Sequence, residues 1–329
     1  MRIALDAMGG DAAPKVPVAG AVEALADLPP SAEILLLGPS AVVEAELATH
    51  DSRDDRIQVV DAPEVVGMAE RPLAAVRGKP KSSIGIGLRM QREGRAQAFI
   101  SGGNTGAVMA ASALILGLHP SVERPAIGGM FPTADAPVLV LDIGANIDCS
   151  ARELRGFAHI GAIYARDVMG RADPAVGLLS IGEEPEKGNA AVKEAHELLK
   201  NEPLSFRFAG NVEGRDILTG TVDVVVCDGF VGNVVLKFYE EVAQLFVGLL
   251  KRDMDPAVLE SEGMRRIRAH LDYSTYGGAP LLGVRGVTVI CHGRSPARAI
   301  RNAIGVAAQA VGSNLSQHIE ADLAGEAEQ

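Results

Sequence analysis

The sequence predicts an α/β fold with a mainly parallel sheet in a three-layer α/β/α arrangement. Short runs of apolar residues rich in Val and Ile recur along the chain, as in strands that are covered on both faces. Segments with helical spacing separate most of these runs, and such alternation indicates parallel strands joined by helices. In sheets of this kind, ligands bind beyond the carboxyl ends of the strands.

The predicted strands recur along the chain, at residues 3–6, 34–37, 57–60, 98–101, 126–131, 138–142, 176–181, 206–209, 224–227 and 287–291. The clearest helical patterns lie at residues 82–93, 105–116, 151–169, 188–201, 233–252 and 295–319. Beyond Asn233 the alternation gives way to helix alone, so we expect a helical excursion at about 234–275. The sequence therefore predicts one α/β domain over residues 1–320, followed by a flexible tail of small and polar residues at 321–329.

The predicted strand at 224–227 leads into the most informative turn of the sequence. Asp228 and Gly229 break the apolar run, and Gly232 and Asn233 then open a segment with helical spacing. A strand that runs into the start of a helix directs free backbone N–H groups at one place, where an anion is favoured by about 0.3–1 kcal/mol. Asn233 adds a side-chain amide with two donors and one acceptor. This corner is a candidate anion site.

Composition excludes several classes of function. The chain has 329 residues, a formal net charge of −11 and only 4% aromatic residues, which argues against nucleic-acid binding. The longest stretch without a charged residue, 96–122, contains a Gly-rich turn, so it fits a buried strand and helix better than a membrane span. No secretory signal opens the chain, and we expect a cytoplasmic protein.

Neither a metal nor an organic cofactor is expected. The seven histidines are scattered, and Cys149, Cys227 and Cys291 lie far apart, which fits a reducing compartment rather than a zinc site. The glycines at 85 and 87 form part of a dinucleotide fingerprint, but Met90 stands in place of its third glycine.

Glycine occurs in the loops that follow six of the predicted strands, and in five of these loops it is accompanied by Asn, Thr, Lys or Arg. These loops lie at residues 6–11, 101–106, 142–146, 181–189, 228–233 and 292–295. One such loop alone is usually a turn. Because all six follow strands, we expect them to build one anion-binding cleft.

Several motifs together resemble the bacterial phosphate acyltransferases of phospholipid synthesis. They are the opening residues 1–11 and the segments 100–107, 141–146, 187–189, 210–213, 228–233 and 276–279. They cover nearly the whole chain in the order expected for that family. The resemblance implies transfer of a long-chain acyl group from acyl carrier protein to inorganic phosphate, which forms acyl phosphate for the synthesis of phosphatidic acid.

The resemblance also implies a fold like that of isopropylmalate dehydrogenase and phosphotransacetylase, and a homodimer. The family assigns a lysine and an asparagine to catalysis, and its motifs place them at Lys187 and Asn233. Without the resemblance, Lys187 would be a surface lysine and Asn233 an ordinary helix N-cap. The candidate phosphate- or substrate-binding residues come from the same loops: Asp6, Gly103, Asn104, Thr105, Asn146, Gly188, Asn189, Gly232 and His292.

The residue types agree with this chemistry. Phosphate, with a second pKa of about 6, is already a nucleophile near neutral pH, and a thiolate leaves without much acid assistance. The reaction therefore needs positioning and charge stabilisation rather than a Ser-His-Asp or Cys-His set. The carboxylates of Asp6, Asp142 and Asp228 would oppose phosphate unless they orient donors.

The helical excursion is the candidate partner surface. Apolar residues at 243–250 are followed by the basic pairs Lys251-Arg252 and Arg265-Arg266. The apolar residues suit a dimer interface, a peripheral membrane contact or a contact with a membrane acyltransferase, whereas the basic residues suit acidic acyl carrier protein. Three other functions stay open. They are a phosphotransacetylase-like enzyme that uses acyl coenzyme A, a non-catalytic regulator that binds acyl carrier protein or acyl phosphate, and a decarboxylating dehydrogenase of the same fold group, although the sequence lacks an evident nucleotide fingerprint for the last.

Overall fold

The computed structural model describes residues 1–50 and 54–327. The chain divides into two compact units, each built from separate stretches of sequence. Unit 1 comprises Met1–Pro125, Arg166–Gly170 and Tyr276–Gln329, and unit 2 comprises Ala126–Ala165 and Arg171–Thr275. The sequence had predicted a single domain over residues 1–320.

Eleven strands form within the described residues. They are β1 (Arg2–Asp6), β2 (Glu33–Gly38), β3 (Ile57–Asp61), β4 (Ala98–Ser101), β5 (Ala126–Phe131), β6 (Val138–Leu141), β7 (Ala175–Leu179), β8 (Arg207–Val212), β9 (Val224–Val226), β10 (Ala279–Leu282) and β11 (Val287–Ile290). All but β10 fall at predicted positions, most within one or two residues.

The described helices connect these strands. They are α1 (Lys15–Ala24), α2 (Ser40–Leu47), α3 (Pro72–Gly78), α4 (Ser83–Arg92), α5 (Thr105–Ile115), α6 (Ala151–Asp167), α7 (Ala190–Lys200), α8 (Asp216–Thr219), α9 (Gly229–Asp253), α10 (Pro256–Leu259), α11 (Glu262–Leu271), α12 (Ala297–Gly312) and α13 (Leu315–Ala327), with a 3₁₀ turn at Tyr273–Tyr276. The predicted mainly parallel α/β fold, with its helical excursion, is confirmed.

The sheet of unit 1 has the strand order β3-β2-β1-β4-β11-β10. Every neighbouring pair is parallel except β10 and β11. In β1, the successive residues Ile3, Ala4 and Leu5 are all fully buried. Because successive side chains of a strand point to opposite faces, both faces of this sheet are covered.

Small residues bring helices close together or close to the sheet in unit 1. Helix α1 packs on α12 at Gly20, where an added Cβ would lie 2.5 Å from Cβ of Ile300. Helix α4 starts at its N-cap Ser82, whose side chain accepts a hydrogen bond from the backbone of Gly85, and it packs on β1, β2 and β4. These contacts form the core beneath the strand ends that carry the loops of unit 1.

The sheet of unit 2 has the strand order β5-β6-β9-β7-β8. Strands β5 and β6 are antiparallel, whereas β6, β9, β7 and β8 run parallel to one another. The three valines of β9 are fully buried, as expected for a central parallel strand. The carboxyl ends of β6, β9 and β7 therefore lie side by side at one edge of this sheet.

Three predicted boundaries are wrong. The predicted helix at 295–319 is two helices, because Asn314 adopts a left-handed φ of 55° between α12 and α13. The tail expected from residue 321 is instead helical as far as Ala327, and Leu323 is buried there; residues 328 and 329 lie outside the described part. Helix α9 begins at Gly229, four residues before the predicted Asn233.

Candidate functional site

The two residues expected to be catalytic follow the carboxyl ends of β9 and β7. Asn233 lies on the helix that follows β9, and Lys187 lies in the loop that follows β7. The strands β7 and β9 are parallel neighbours, with Leu178 paired to Val226 near their carboxyl ends. The loop that contains Lys187 and the helix that contains Asn233 thus begin at adjacent positions on one edge of the unit 2 sheet. That their two side chains lie close together remains a prediction.

Asp142 organises the loop after β6. Its Oδ1 accepts hydrogen bonds from the backbone N–H groups of Ile127, Gly144 and Ala145, at 3.1, 3.0 and 2.9 Å. Its Oδ2 accepts from the backbone and side-chain amides of Asn146, at 2.7 and 3.0 Å. The side chain is fully buried, and burial raises the pKa of Asp142 while its backbone donors oppose that rise. As predicted, this carboxylate orients donors.

The start of α9 packs tightly on this loop. Asp228 is the N-cap, since its Oδ1 accepts from the backbone N–H of Val231 at 2.8 Å. The backbone N–H of Gly229 donates to the carbonyl of Asn146 at 2.7 Å. A Cβ on Gly232 would lie 1.9 Å from the carbonyl oxygen of Asp142, so no other residue fits there without movement.

Asn233 is not a helix cap, which corrects the structural alternative considered for it. It lies in the second turn of α9 and is exposed. A Cβ on Gly144, whose φ is +140°, would lie 3.5 Å from Oδ1 of Asn233. The amide of Asn233 therefore lies beside the loop that Asp142 orders. The structure thus brings Asn146, Gly232 and Asn233 together.

Lys187 is an exposed residue in the loop between β7 and α7. Its backbone N–H donates to the carbonyl of Glu184 at 2.9 Å. Gly188 follows with a φ of +97°, a conformation that favours glycine. Asn189 then caps α7 by accepting from the backbone N–H of Val192 at 2.9 Å. A turn and a cap therefore fix the backbone on both sides of the exposed Lys187.

The remaining candidates lie in unit 1, where Asp6 organises a second set of loops. The hydroxyl of Ser101 donates to Oδ2 of Asp6 at 2.7 Å, and the backbone N–H of Met8 donates to Oδ1 at 3.0 Å. The backbone N–H of Gly103 donates to the same serine hydroxyl at 3.0 Å. Burial raises the pKa of Asp6, opposed by these hydrogen bonds. The sequence did not single out Ser101, whose place at the end of a buried strand, directly before Gly102-Gly103-Asn104, was the available signal.

Asn104 is committed to holding its own loop. Its Oδ1 accepts from the backbone N–H of Ala107 at 3.0 Å, which makes it the N-cap of α5. Its Nδ2 donates to the carbonyls of Gly67, Met68 and Glu70, at 3.2, 3.0 and 2.9 Å. Thr105 is the first helical residue after it and is exposed.

His292 follows β11 in unit 1 and is exposed, with its Nδ1 accepting from the backbone N–H of Arg294 at 3.1 Å. It borders a small cavity of unit 1 that is lined by the glycines of three loops, among them Gly9, Gly102 and Gly293. Unit 1 thus brings three of the predicted Gly-containing loops together.

Within residues 1–50 and 54–327, acidic, histidine and cysteine side chains do not gather into a group that could hold a metal ion. No helix in that part of the chain is both long enough and apolar enough to cross a membrane. Cys227 and Cys291 are buried, and burial raises the pKa of Cys149 and of Cys291 to about 12, so these thiols are poor nucleophiles.

The sequence matches the model of a family described as "Fatty acid synthesis protein" over residues 1–318. A phosphate acyltransferase of Heliobacterium modesticaldum is 48% identical over 337 residues, which cover 100% of this chain and 99% of that protein. A phosphate acyltransferase of Moorella thermoacetica is 46% identical over 337 residues, covering 100% of this chain and 97% of that protein.

Among solved structures, a phosphotransacetylase of Streptococcus pyogenes is similar, with a TM-score of 0.66 and coverage of 94% of both chains. Its sequence is only 18% identical, so this similarity concerns the fold. The fold expected from the family resemblance is confirmed.

Proposed function

The chain belongs to the phosphate acyltransferase family, and from that premise we propose that it transfers a long-chain acyl group from acyl carrier protein to inorganic phosphate. The full-length similarity to phosphate acyltransferases carries this proposal. The product, acyl phosphate, would serve the synthesis of phosphatidic acid. The proposed location is the cytoplasm, where the acyl donor and phosphate meet the enzyme.

The reaction balances without a cofactor. An oxygen of the phosphate dianion attacks the thioester carbonyl carbon, and the carbonyl oxygen becomes an oxyanion. When the intermediate collapses, the carbon–sulfur bond breaks and the acyl phosphate is released. The proton carried by the attacking phosphate ends on the thiolate, which leaves as the thiol of the carrier protein. The protein therefore has to hold the phosphate and stabilise negative charge.

Lys187 and Asn233 are the proposed catalytic residues. Lys187 would place its positive charge near the phosphate and reduce the repulsion between the phosphate and the developing oxyanion. Asn233 would donate its side-chain amide to the phosphate or to the oxyanion. The position of Asn233, exposed in the second turn of α9 and not used as a cap, supports this role.

The other proposed binding residues divide into two roles. Gly103 and Gly188 would let the phosphate approach the backbone, because glycine carries no side chain, whereas Gly232 would serve the site by letting α9 pack on the Asp142 carbonyl. The polar side chains would shape the loops or contact the substrates: Asp6, Asn104, Thr105, Asn146, Asn189 and His292. The side-chain amide of Asn104 already serves three carbonyls, which supports a shaping role for it.

The proposed docking surface for acyl carrier protein includes Arg265 and Arg266 on α11. Both side chains are exposed, and Arg266 has a distant ion pair with Glu262 at 3.8 Å, where both side chains are more than three-quarters exposed. Such a pair leaves the arginine available to an acidic partner.

Reversing both charges with Arg265→Glu and Arg266→Glu should raise KM for acyl carrier protein severalfold and leave KM for phosphate unchanged. Steady-state rates at varied concentrations of each substrate would measure this. The reversal of Arg95, an exposed arginine of unit 1, to Glu is the control. An unchanged KM for the carrier protein would remove this surface from the proposal.

A homodimer and a peripheral membrane contact complete the proposed assembly. The exposed face of α9 is rich in large apolar side chains, which supports burial against a second copy or against the membrane or a membrane acyltransferase. Each occupant would remove the same side chains from water.

The function is tested by supplying the purified protein with phosphate and either palmitoyl-acyl carrier protein or palmitoyl coenzyme A. The expected result is acyl phosphate and free thiol in equal amounts from the carrier-protein thioester, and much slower turnover with the coenzyme A thioester. Lys187→Ala is the negative control. Preference for coenzyme A would favour a phosphotransacetylase-like activity, and tight carrier-protein binding without turnover would favour a regulator.

A further inference from the structure

Strand β8 contains an irregularity that turns one of its side chains around. In the pairing of β7 with β8, Val176 lies opposite Phe208, but the next residue, Gly177, lies opposite Gly210. Ala209 is therefore an extra residue, and Gly210 has a φ of +80°. This is a β-bulge, a feature that redirects the side chains that follow it.

The bulge places Phe208 and Asn211 on the same side of the strand. In a regular strand, residues three apart point to opposite faces. Here the ring of Phe208 contacts His196 of α7, with centroids 5.3 Å apart, and Oδ1 of Asn211 lies 3.3 Å from Nδ1 of the same histidine. Asn211 consequently points toward α7 and the loop that leads into that helix.

The amide of Asn211 is buried and donates to that loop. Its Nδ2 donates to the carbonyl of Glu184 at 2.7 Å. Because a carbonyl only accepts, this bond orients the amide so that Oδ1 accepts from the N–H of the His196 ring. Asn211 therefore bridges α7 and the loop at its start.

The carbonyl of Glu184 accepts hydrogen bonds from both Asn211 and the proposed catalytic lysine. It accepts from the backbone N–H of Lys187 at 2.9 Å as well as from Asn211. The neighbouring residue of β8, Val212, fixes the beginning of the same loop, since its carbonyl accepts from the backbone N–H of Ser180 at 2.8 Å. The end of β8 thus holds the loop at two points.

We propose that Asn211, turned by the bulge at Gly210, is a positioning residue that holds the turn carrying Lys187 through the carbonyl of Glu184. This inference rests on the proposed function for the role of Lys187, and it gives a purpose to the Gly-Asn-Val-Glu motif at 210–213. A flexible lysine side chain reaches a defined point only if its backbone is fixed, and a displacement of about 1 Å can cost roughly 100-fold in rate.

The first test is Asn211→Asp, which keeps the shape and the acceptor toward His196 but replaces the donor with an oxygen that repels the Glu184 carbonyl. We expect kcat for acyl phosphate formation to fall roughly 10- to 100-fold, with KM for acyl carrier protein unchanged. Asn201→Asp is the matched control: its Nδ2 donates to the carbonyl of Glu197 at 2.7 Å at the other end of α7. This control should keep the wild-type kcat.

A double-mutant cycle distinguishes positioning from a general loss of structure. If Asn211 acts through Lys187, then Asn211→Asp should cause no further loss of rate in a Lys187→Ala background. Full additivity of the two losses would overturn the proposal.

Amide hydrogen exchange gives a readout that does not depend on activity. In Asn211→Asp, and also in Gly210→Ala, which opposes the positive φ, the amide of Lys187 should exchange at least about tenfold faster, whereas Asn201→Asp should leave it unchanged. Wild-type exchange in both variants would overturn the proposal. A wild-type protein that forms no acyl phosphate would refute the proposed function, and the exchange comparison would still decide the inference about the loop.

Discussion

Asn233 shows how one residue's position decides between two roles. As a cap it would contribute mainly to stability, but the cap of α9 is Asp228 and Asn233 lies exposed in the second turn. Asn233→Ala should therefore leave the melting temperature within a few degrees of the wild type. Turnover should fall about 10²–10³-fold, the typical effect of losing one donor to an oxyanion. Thermal unfolding and initial rates on the same samples would measure both.

Asp228→Ala is the complementary variant, because it removes the true cap. It should lower the free energy of unfolding by about 1 kcal/mol. If Asn233→Ala instead kept full turnover, Asn233 would have no catalytic role.

His119 makes the folding stability of unit 1 depend on pH. Its side chain is buried, with Nε2 3.3 Å from the hydroxyl of Ser316, and burial lowers its pKa to about 4, assisted by nearby Arg285 and opposed by Glu320. The unfolded chain binds this proton near pH 6.5, so between about pH 6.5 and 4 the unfolded state holds more protons. The stability that unit 1 gains from keeping His119 neutral is fully present above that range and is lost as the pH falls through it.

Between pH 7 and 4.5, this single group should reduce the free energy of unfolding by about 2–3 kcal/mol. Urea unfolding at several pH values would measure the slope, with His119→Gln as the comparison because it cannot titrate. A slope that is the same in both proteins would show that other groups cause the acid sensitivity.

At the scale of elements, the contact between α9 and the loop after β6 depends on Gly232. An added Cβ would meet the Asp142 carbonyl, so Gly232→Ala should push α9 away from the loop and lower both stability and kcat. Gly248→Ala is the matched control on the same helix, because its added Cβ would meet nothing within 4 Å. That control should be neutral or stabilising by up to about 1 kcal/mol. Equal effects of both changes, in unfolding and rate measurements, would contradict the close-contact argument.

Helix α9 is the most exposed apolar element among the described residues. It has 25 residues, and so a length of roughly 37 Å, yet its buried residues are only Gly229, Gly232 and Ala243. Its exposed apolar side chains are Phe230, Val231, Val234, Phe238, Val242, Leu245, Phe246 and Leu249. Burying such side chains against a second copy stabilises a dimer by about 25 cal/mol per Å² of apolar surface.

The double variant Phe238→Asp and Leu245→Asp should therefore convert the proposed homodimer, of about twice 34.3 kDa, into a monomer, as measured by light scattering after gel filtration. Val42→Asp and Leu73→Asp, at exposed apolar positions elsewhere, should leave the mass unchanged. A wild-type monomer, or a dimeric double variant, would leave the membrane or a membrane protein as the remaining proposed occupants of this face.

For the molecule as a whole, the sequence predicted the strands that are formed by buried runs of apolar residues. Strand β9 ends one residue before its predicted end, and β4 and β5 have the predicted bounds. Strand β10 was missed because Pro280 and the preceding glycines are unusual in strands. The start of α9 was misplaced because Gly229 and Gly232 suggested a turn, whereas close packing on the Asp142 loop accounts for both.

The candidate site was predicted only as a set of loops. Spacing indicated which strands end in Gly-containing turns, and Asp142 was expected to orient donors, as it does. The sequence could not show that Asn104 bonds to residues 67–70, or that a bulge turns Asn211 toward Glu184, because these contacts depend on tertiary packing rather than on local pattern.

Because the strands of unit 1 lie far apart along the chain, its sheet can be completed only late in synthesis on the ribosome. Its strand β4 ends at Ser101, yet its parallel neighbour β11 begins only at Val287, after all of unit 2 has been made. Because synthesis proceeds at about 5–20 residues per second, one edge of β4 remains unpaired for roughly 10–40 s before β11 is made. An unpaired strand edge is a template for aggregation, so the nascent chain should depend on chaperones in that interval.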